Sequence, residues 1–259
     1  MKIPIYQVDA FTGSLFAGNP AAICPIESWL DTARMQSIAA ENNLSETAFF
    51  VRTGDRYHLR WFTPAVEVDL CGHATLAAAY VIFRFLEPSL ESVEFDTRSG
   101  VLVVRRAGEQ LAMDFPARKP EPVSMNAKLI VGLGKAPLQL LASRDYLAVY
   151  ATEEDVRGLR PDMHTLAGID RFAVIATAPG RDCDFVSRFF APAQGVPEDP
   201  VTGSAHCTLA PYWAERLGKT VLDARQVSAR GGEVVCEMAG DRVILKGQNV
   251  LYLEGSIYV

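Results

Sequence analysis

The stretch Leu70-Cys71-Gly72-His73-Ala74-Thr75-Leu76-Ala77-Ala78-Ala79-Tyr80-Val81-Ile82-Phe83 joins a polar, glycine-hinged turn to a run that is apolar on nearly every side. A helix without a polar face has to be buried, so the rest of the chain must wrap around this segment. Burial also isolates the backbone N–H groups of the first helical turn, which then need a side chain, a water or an anionic ligand as acceptor. The helix start at Gly72 and His73 is therefore a candidate site.

The same grammar returns about 131 positions later. Arg60-Trp61-Phe62-Thr63-Pro64 is echoed by Arg188-Phe189-Phe190-Ala191-Pro192, and Gly72-His73-Ala74-Thr75 by Gly203-Ser204-Ala205-His206. Gly72 to Gly100 and Gly203 to Gly231 are both 28 residues, and each later glycine leads into a strand, turn, strand pattern. Equal spacing with matched motifs predicts an α+β chain of two related lobes, each built around a buried helix wrapped by strands. Residues 116–122 hold three prolines and two basic residues and read as a linker. The lobes are accordingly placed at 1–118 and 119–259, with the last strand, 250–259, able to close either one.

Between these landmarks the period-two and helical patterns predict strands at 2–8, 21–25 and 44–51, and a helix over 29–42 begun by Asp31 and ended by Asn42-Asn43. Asn19 lies between Gly18 and Pro20, where it either points into a cleft or stabilises a turn. Glu46 opens the third strand, and if Ala48 and Phe50 face the core, alternation turns Glu46 inward too. A carboxylate there is costly unless protonated or hydrogen-bonded, and such an environment raises its pKa from about 4.3 towards neutrality, fitting it to take and return a proton. Capping of the strand end, or pairing with an arginine, is the competing reading. In the second lobe, Glu198-Asp199-Pro200-Val201-Thr202-Gly203-Ser204 delivers a carboxylate and a hydroxyl to the second helix start. Gly203 and Ser204 offer donors to an anion, unless Asp199, Thr202 or Ser204 merely caps the helix. If the two helix starts face one another, the cleft between them suits a small anionic molecule and proton-transfer chemistry.

Composition narrows the partners. The net charge of −6, with no basic tract, argues against nucleic acid and anionic membrane surfaces. Five cysteines, Cys24, Cys71, Cys183, Cys207 and Cys236, are widely spaced without metal-ligand or disulfide patterning, which fits a reduced, cytoplasmic setting and no structural metal. The start lacks the apolar region of a signal peptide, and the longest apolar run is too short to cross a bilayer.

Taken in order, Asp9-Ala10-Phe11 with Gly18-Asn19-Pro20, Asn43-Leu44-Ser45-Glu46-Thr47-Ala48-Phe49, Leu70-Cys71-Gly72-His73-Ala74-Thr75 and Glu198-Asp199-Pro200-Val201-Thr202-Gly203-Ser204-Ala205-His206 resemble the PhzF family of phenazine biosynthesis-like isomerases. The resemblance implies a diaminopimelate-epimerase-like fold: two pseudo-symmetric lobes, each a curved, barrel-like, mostly antiparallel sheet around a central helix. It implies a homodimer with a cofactor-free active site between the lobes. Glu46 matches the acid/base that moves a proton between carbons of a cyclic amino acid, and His73, Asp199 and Ser204 match its polar partners. Asn19, Gly72 and Gly203 complete the expected substrate-binding set. The family's namesake isomerises trans-2,3-dihydro-3-hydroxyanthranilate.

Two other functions compete. Epimerase cousins use one cysteine per lobe as paired acid and base; here Cys71 stands at the first position and Thr202 at the second. A racemase would therefore need Cys71 with a different partner. A non-catalytic small-carboxylate binding protein would keep the cleft without turnover.

Overall fold

The computed structural model describes residues Met1 to Val259. The chain divides into two compact units, Met1–Asp114 with Lys246–Val259, and Phe115–Leu245. The final strand thus belongs to the first unit, and the division falls at 114/115 where the linker composition suggested 118/119.

In the first unit the elements are β1 (Lys2–Ala10), β2 (Asn19–Pro25), α1 (Thr32–Asn42), β3 (Glu46–Thr53), β4 (Arg56–Phe62), β5 (Glu67–Val68), α2 (Gly72–Val81), β6 (Ser92–Thr97), β7 (Gly100–Ala107) and β8 (Gln110–Pro116). The second unit adds β9 (Glu121–Pro122), α3 (Ala127–Leu133), β10 (Gln139–Ala142), β11 (Tyr146–Val149), α4 (Glu153–Gly158), α5 (Met163–Leu166), β12 (Val174–Pro179), β13 (Phe185–Ala191), β14 (Val196–Asp199), α6 (Gly203–Leu217), β15 (Val221–Gln226), β16 (Gly232–Ala239) and β17 (Arg242–Gly247). The last strand is β18 (Asn249–Tyr258).

Strand pairing confirms the repeat. The first unit joins β18 to β1, β1 to β2, β3 to β4 and β6 to β7 in antiparallel fashion, and β2 to β3 and β4 to β6 in parallel. In the second, β9–β10, β10–β11, β12–β13 and β15–β16 are antiparallel, while β11–β12 and β13–β15 are parallel. Strand for strand this is one sequence of directions used twice. Even the short side strand recurs: β5 lies antiparallel against β4, and β14 against β13.

The repeat extends to side chains at the strand-end corner. Arg60 grips Glu67 with two bonds, Nε–Oε1 at 2.7 Å and Nη2–Oε2 at 2.9 Å. Arg188 grips Glu198 the same way, at 2.8 and 2.9 Å. Each guanidinium also lies over the aromatic ring two residues on, Phe62 at 5.2 Å and Phe190 at 4.9 Å. A bidentate arginine–carboxylate fork has fixed geometry, so it pins β5 and β14 and the loops that follow them to the helix starts.

Each unit's core is organised by its long apolar helix. From His73 to Ala79, and at Val81, α2 is buried, and it packs on β1, β2, β3, β7 and β18. Its small side chains, Ala74, Ala77, Ala78 and Ala79, let strands approach from several sides at once. It then continues into a π-helical turn, Ile82–Leu86, closed by Glu87 N–H donating to the Ile82 carbonyl. In α6, nine residues from Gly203 to Trp213 are buried. The other long helix, α1, is amphipathic instead, turning Met35, Ile38 and Ala39 onto Cys24, Phe49 and Phe62. It begins at Thr32 rather than Trp29 because Asp31 accepts the Arg34 N–H at 2.8 Å and so sets the helix end. Asn43 closes it in the left-handed region, φ 48°.

No helix is long and apolar enough to cross a membrane.

Candidate active site

In the first unit three elements bring their ends together. The parallel register Ala21↔Glu46 sets the start of β3 beside the start of β2, which carries Asn19. Phe49 packs against α1, so alternation turns Glu46 to the opposite face, where α2 begins. There the Glu46 carboxylate Oε2 lies 3.0 Å from His73 Nε2, with the two side chains 15% and 6% exposed. His73 Nδ1 meets the fully buried Asn19 amide at 3.1 Å and Cys71 Sγ at 3.5 Å. Of the predicted residues, Asn19, Glu46, Gly72 and His73 thus share one locus, with Cys71 beside them. The carboxylate's partner is a histidine and not an arginine.

This pair is close without being aligned: neither Glu46 Oε2 nor His73 Nε2, both buried, makes a well-directed hydrogen bond. Buried polar atoms left in this condition are rare and call for an explanation such as catalysis. Burial alone would lower the pKa of His73, but the adjoining Cys71 sulfur and Glu46 carboxylate outweigh it and hold the imidazolium well above its ordinary 6.5. The imidazolium then directs Nδ1–H at Cys71 Sγ or, with the amide turned, at the Asn19 oxygen, and keeps Nε2–H beside the carboxylate. Burial pushes the Cys71 thiol up to about 11, so at neutral pH it carries its proton.

The second unit assembles Asp199, Gly203 and Ser204 around the start of α6. Thr202 donates to the Asp199 carboxylate instead of capping the helix. Gln226, on β15 and 1% exposed, clamps this turn: its oxygen accepts from Thr202 N–H at 2.8 Å and its amide donates to the Asp199 carbonyl at 2.7 Å. Arg144 donates to Ser204 Oγ at 3.2 Å, holds the fully buried Asp145 and stacks on Phe172 at 4.4 Å. Gln226 and Arg144 were absent from the sequence-based set.

Capping separates these two helix starts from the other α-helices. Asp31, Asn126, Thr152 and Asp162 accept first-turn N–H groups in α1, α3, α4 and α5. Neither α2 nor α6 has a side-chain cap. In α2 and α6 the residue before the helix, Cys71 or Thr202, thus leaves the first-turn N–H groups without the cap that its own side chain could have supplied.

The repeat shows what the second unit lacks. Aligning Phe62 with Phe190 makes Thr47, paired to Phe62, the counterpart of Val174, paired to Phe190. Glu46 then corresponds to Ala173, His73 to Ser204 and Cys71 to Thr202. Only one unit carries a carboxylate, an imidazole and a thiol at these positions.

His206 also repeats a device. Its Nδ1 donates to the Thr202 carbonyl at 2.8 Å, as Thr75 Oγ1 does to Cys71 at 2.6 Å. Burial lowers its pKa to about 4. The unfolded chain gains a proton there near 6.5 while the native state stays neutral, so stability is lost as pH falls from about 6.5 to about 4, by about 3 kcal/mol. His73, shifted upward, acts in the opposite sense, losing stability as pH rises through its folded pKa. Urea unfolding across the acid range is expected to show the decline, and His206→Gln to flatten it.

A two-unit α+β fold with a buried carboxylate–imidazole pair at one helix start has groups suited to proton transfer. The chain belongs to the phenazine biosynthesis-like (PhzC-PhzF) family, whose model matches residues 8–255. An uncharacterized isomerase of Pseudomonas aeruginosa is 52% identical, with 100% of both chains covered. The crystal structure of a PhzF-family protein from Enterococcus faecalis superposes with a TM-score of 0.98 at 46% identity, again over 100% of both chains. A hydroxyproline epimerase from Agrobacterium vitis shares the fold alone, with a TM-score of 0.61 at 9% identity over 99% of this chain and 92% of that one.

Proposed function

We propose that this isomerase moves a proton between carbons of a small, cyclic, carboxylated substrate, with Glu46 as acid/base and side chains alone as the catalytic apparatus. The observation that carries the reading is the Glu46–His73 pair, 3.0 Å apart, buried and unaligned. The carboxylate takes a proton from a carbon whose acidity conjugation or a carboxylate has raised, then returns it elsewhere on the same face. His73, as imidazolium, is a preorganised donor for the negative charge that develops when the proton leaves. Asn19 holds the ring from behind. The helix starts at Gly72 and Gly203, with Asp199 and Ser204, are assigned to binding the substrate's polar groups, and Gln226 keeps the Asp199 turn in shape.

The test is proton NMR in D2O with trans-2,3-dihydro-3-hydroxyanthranilate, followed by a panel of small carboxylated rings. Product formation or deuterium uptake on carbon supports the proposal. Binding of such rings with no exchange on any of them would overturn it.

The racemase alternative needs Cys71 as a base, yet its thiol is held protonated and the second unit offers Thr202 in the matching place. Cys71→Ala is expected to keep exchange within about tenfold of the parent, whereas loss of a true acid/base costs about 100-fold or more. Initial rates of deuterium uptake decide between them.

A further inference from the structure

We propose that Glu46, Cys71 and His73 also form a binding site for one zinc-class divalent cation, which competes for the groups that the reaction uses. The three residues offer one carboxylate oxygen, one sulfur and one ring nitrogen, all within 4.8 Å of one another. A second observation points the same way. Two of the donor-bearing atoms, Glu46 Oε2 and His73 Nε2, are buried without an aligned hydrogen bond, so an ion can engage them without first breaking one.

The spacing is near that of a tetrahedral site. Zinc bonds of about 2.0–2.2 Å to nitrogen and oxygen, and about 2.3 Å to sulfur, set ligand atoms roughly 3.3–3.6 Å apart. Here the carboxylate oxygen and Nε2 are 3.0 Å apart, and Sγ and Nδ1 are 3.5 Å apart. Because the two contacts reach different ring nitrogens, Nε2, which lacks an aligned bond, takes the ion beside the Glu46 oxygen, and the Cys71 sulfur turns from Nδ1 towards it.

Ligand chemistry selects the ion. A thiolate with an imidazole and one carboxylate favours zinc or cobalt over magnesium or calcium, which require mostly oxygen donors. Binding displaces two protons, that of the Cys71 thiol and one from the His73 imidazolium, because the ion takes a thiolate and a neutral imidazole as ligands. Three protein ligands leave a fourth position for water or an anion. If Glu46 is the acid/base, as proposed above, a cation held on its carboxylate removes the base and its neighbouring imidazolium together, and exchange stops.

The experiment is titration of the chelator-treated protein with Co2+, followed by absorbance. The expected result is one equivalent bound, with tetrahedral d–d bands and a thiolate-to-cobalt charge-transfer band, both displaced by Zn2+. Cys71→Ser is expected to lose the charge-transfer band, and Glu46→Gln to weaken binding by about tenfold or more, since even outer-shell changes cost ~10–100-fold. Should Cys71→Ser fail to fold by circular dichroism, Glu46→Gln is read in its place. A wild-type spectrum without a thiolate band, a band that persists in Cys71→Ser, or affinity unchanged in Glu46→Gln would each overturn the site. The readout is independent of turnover: exchange that survives Glu46→Gln would refute the acid/base assignment while leaving the cobalt spectrum as it stands.

Discussion

Glu46→Gln is expected to slow proton exchange by about three orders of magnitude while leaving ligand affinity within about tenfold. A positioned general acid/base contributes ~10²–10⁴-fold, and 10³ corresponds to about 4 kcal/mol of transition-state stabilisation. Glutamine keeps the shape of the side chain and leaves an oxygen beside His73 Nε2, but it cannot carry the transferred proton. Nothing about the start of β3 has to rearrange, since the neighbouring Thr47 and Ala48 remain buried and the Ala21↔Glu46 register is made by backbone groups. The variant has a second observable. Glu46 supplies the negative charge beside His73, the neighbouring Cys71 being a neutral thiol, so removing that charge is expected to lower the His73 pKa, with burial then opposed only by the contact to Cys71. A histidine NMR titration reads this without any substrate. Exchange rates near those of the parent, together with a lowered His73 pKa, would assign Glu46 an electrostatic role and move the base elsewhere.

The parts of this site that were legible in the sequence are those tied to local pattern. A helix with no polar face, two glycine-led helix starts and repeated aromatic–proline corners are features of contiguous residues, and each has its counterpart in the structure. Strand direction in the repeat, and the duplicated forks Arg60–Glu67 and Arg188–Glu198, needed three-dimensional register, because each acidic partner sits on a separate short strand. Gln226 left a faint trace. In the strand Val221–Gln226 burial alternates, and its buried face reads Leu222, Ala224, Gln226. A glutamine on an apolar face requires partners, but alternation cannot say that they are the backbone of the Asp199–Thr202 turn. Arg144 left none, since an arginine next to an aspartate reads as an ordinary solvated pair until Asp145 is found fully buried. For Glu46 the inward orientation followed from alternation, whereas its histidine partner lies across a gap in sequence that only the fold closes.

Trp213→Ala is expected to carry the largest stability cost of any single truncation in the second unit, about 4 kcal/mol. Trp213 is 1% exposed on α6. Its ring stacks on Phe185 with centroids 5.7 Å apart and planes within 5°, and meets Tyr212 edge-on at 5.2 Å. Its Nε1–H donates to Thr177 Oγ1 at 3.0 Å, and that hydroxyl donates onward to the Val186 carbonyl at 2.7 Å. One side chain therefore ties α6 to β12 and β13 at once. Truncation of a buried tryptophan costs ~3–5 kcal/mol because the lost contacts are compounded by a cavity that close-packed neighbours fill only in part. Trp213→Phe separates the two contributions: it retains an aromatic ring against Phe185 and gives up the N–H bond, for which about 1 kcal/mol is expected, with a remainder from the smaller ring. Urea unfolding measures both. If the two units unfold in separate transitions, the loss should fall on one of them, and a shift of both by the same amount would show that they unfold as one cooperative whole. Activity supplies the contrasting readout. Trp213 lies nine residues along α6 from Ser204, about 14 Å at 1.5 Å per residue, so a helix that remains folded still presents its first turn. The expected outcome is a protein that melts earlier yet, below its transition, keeps the Michaelis constant of the parent.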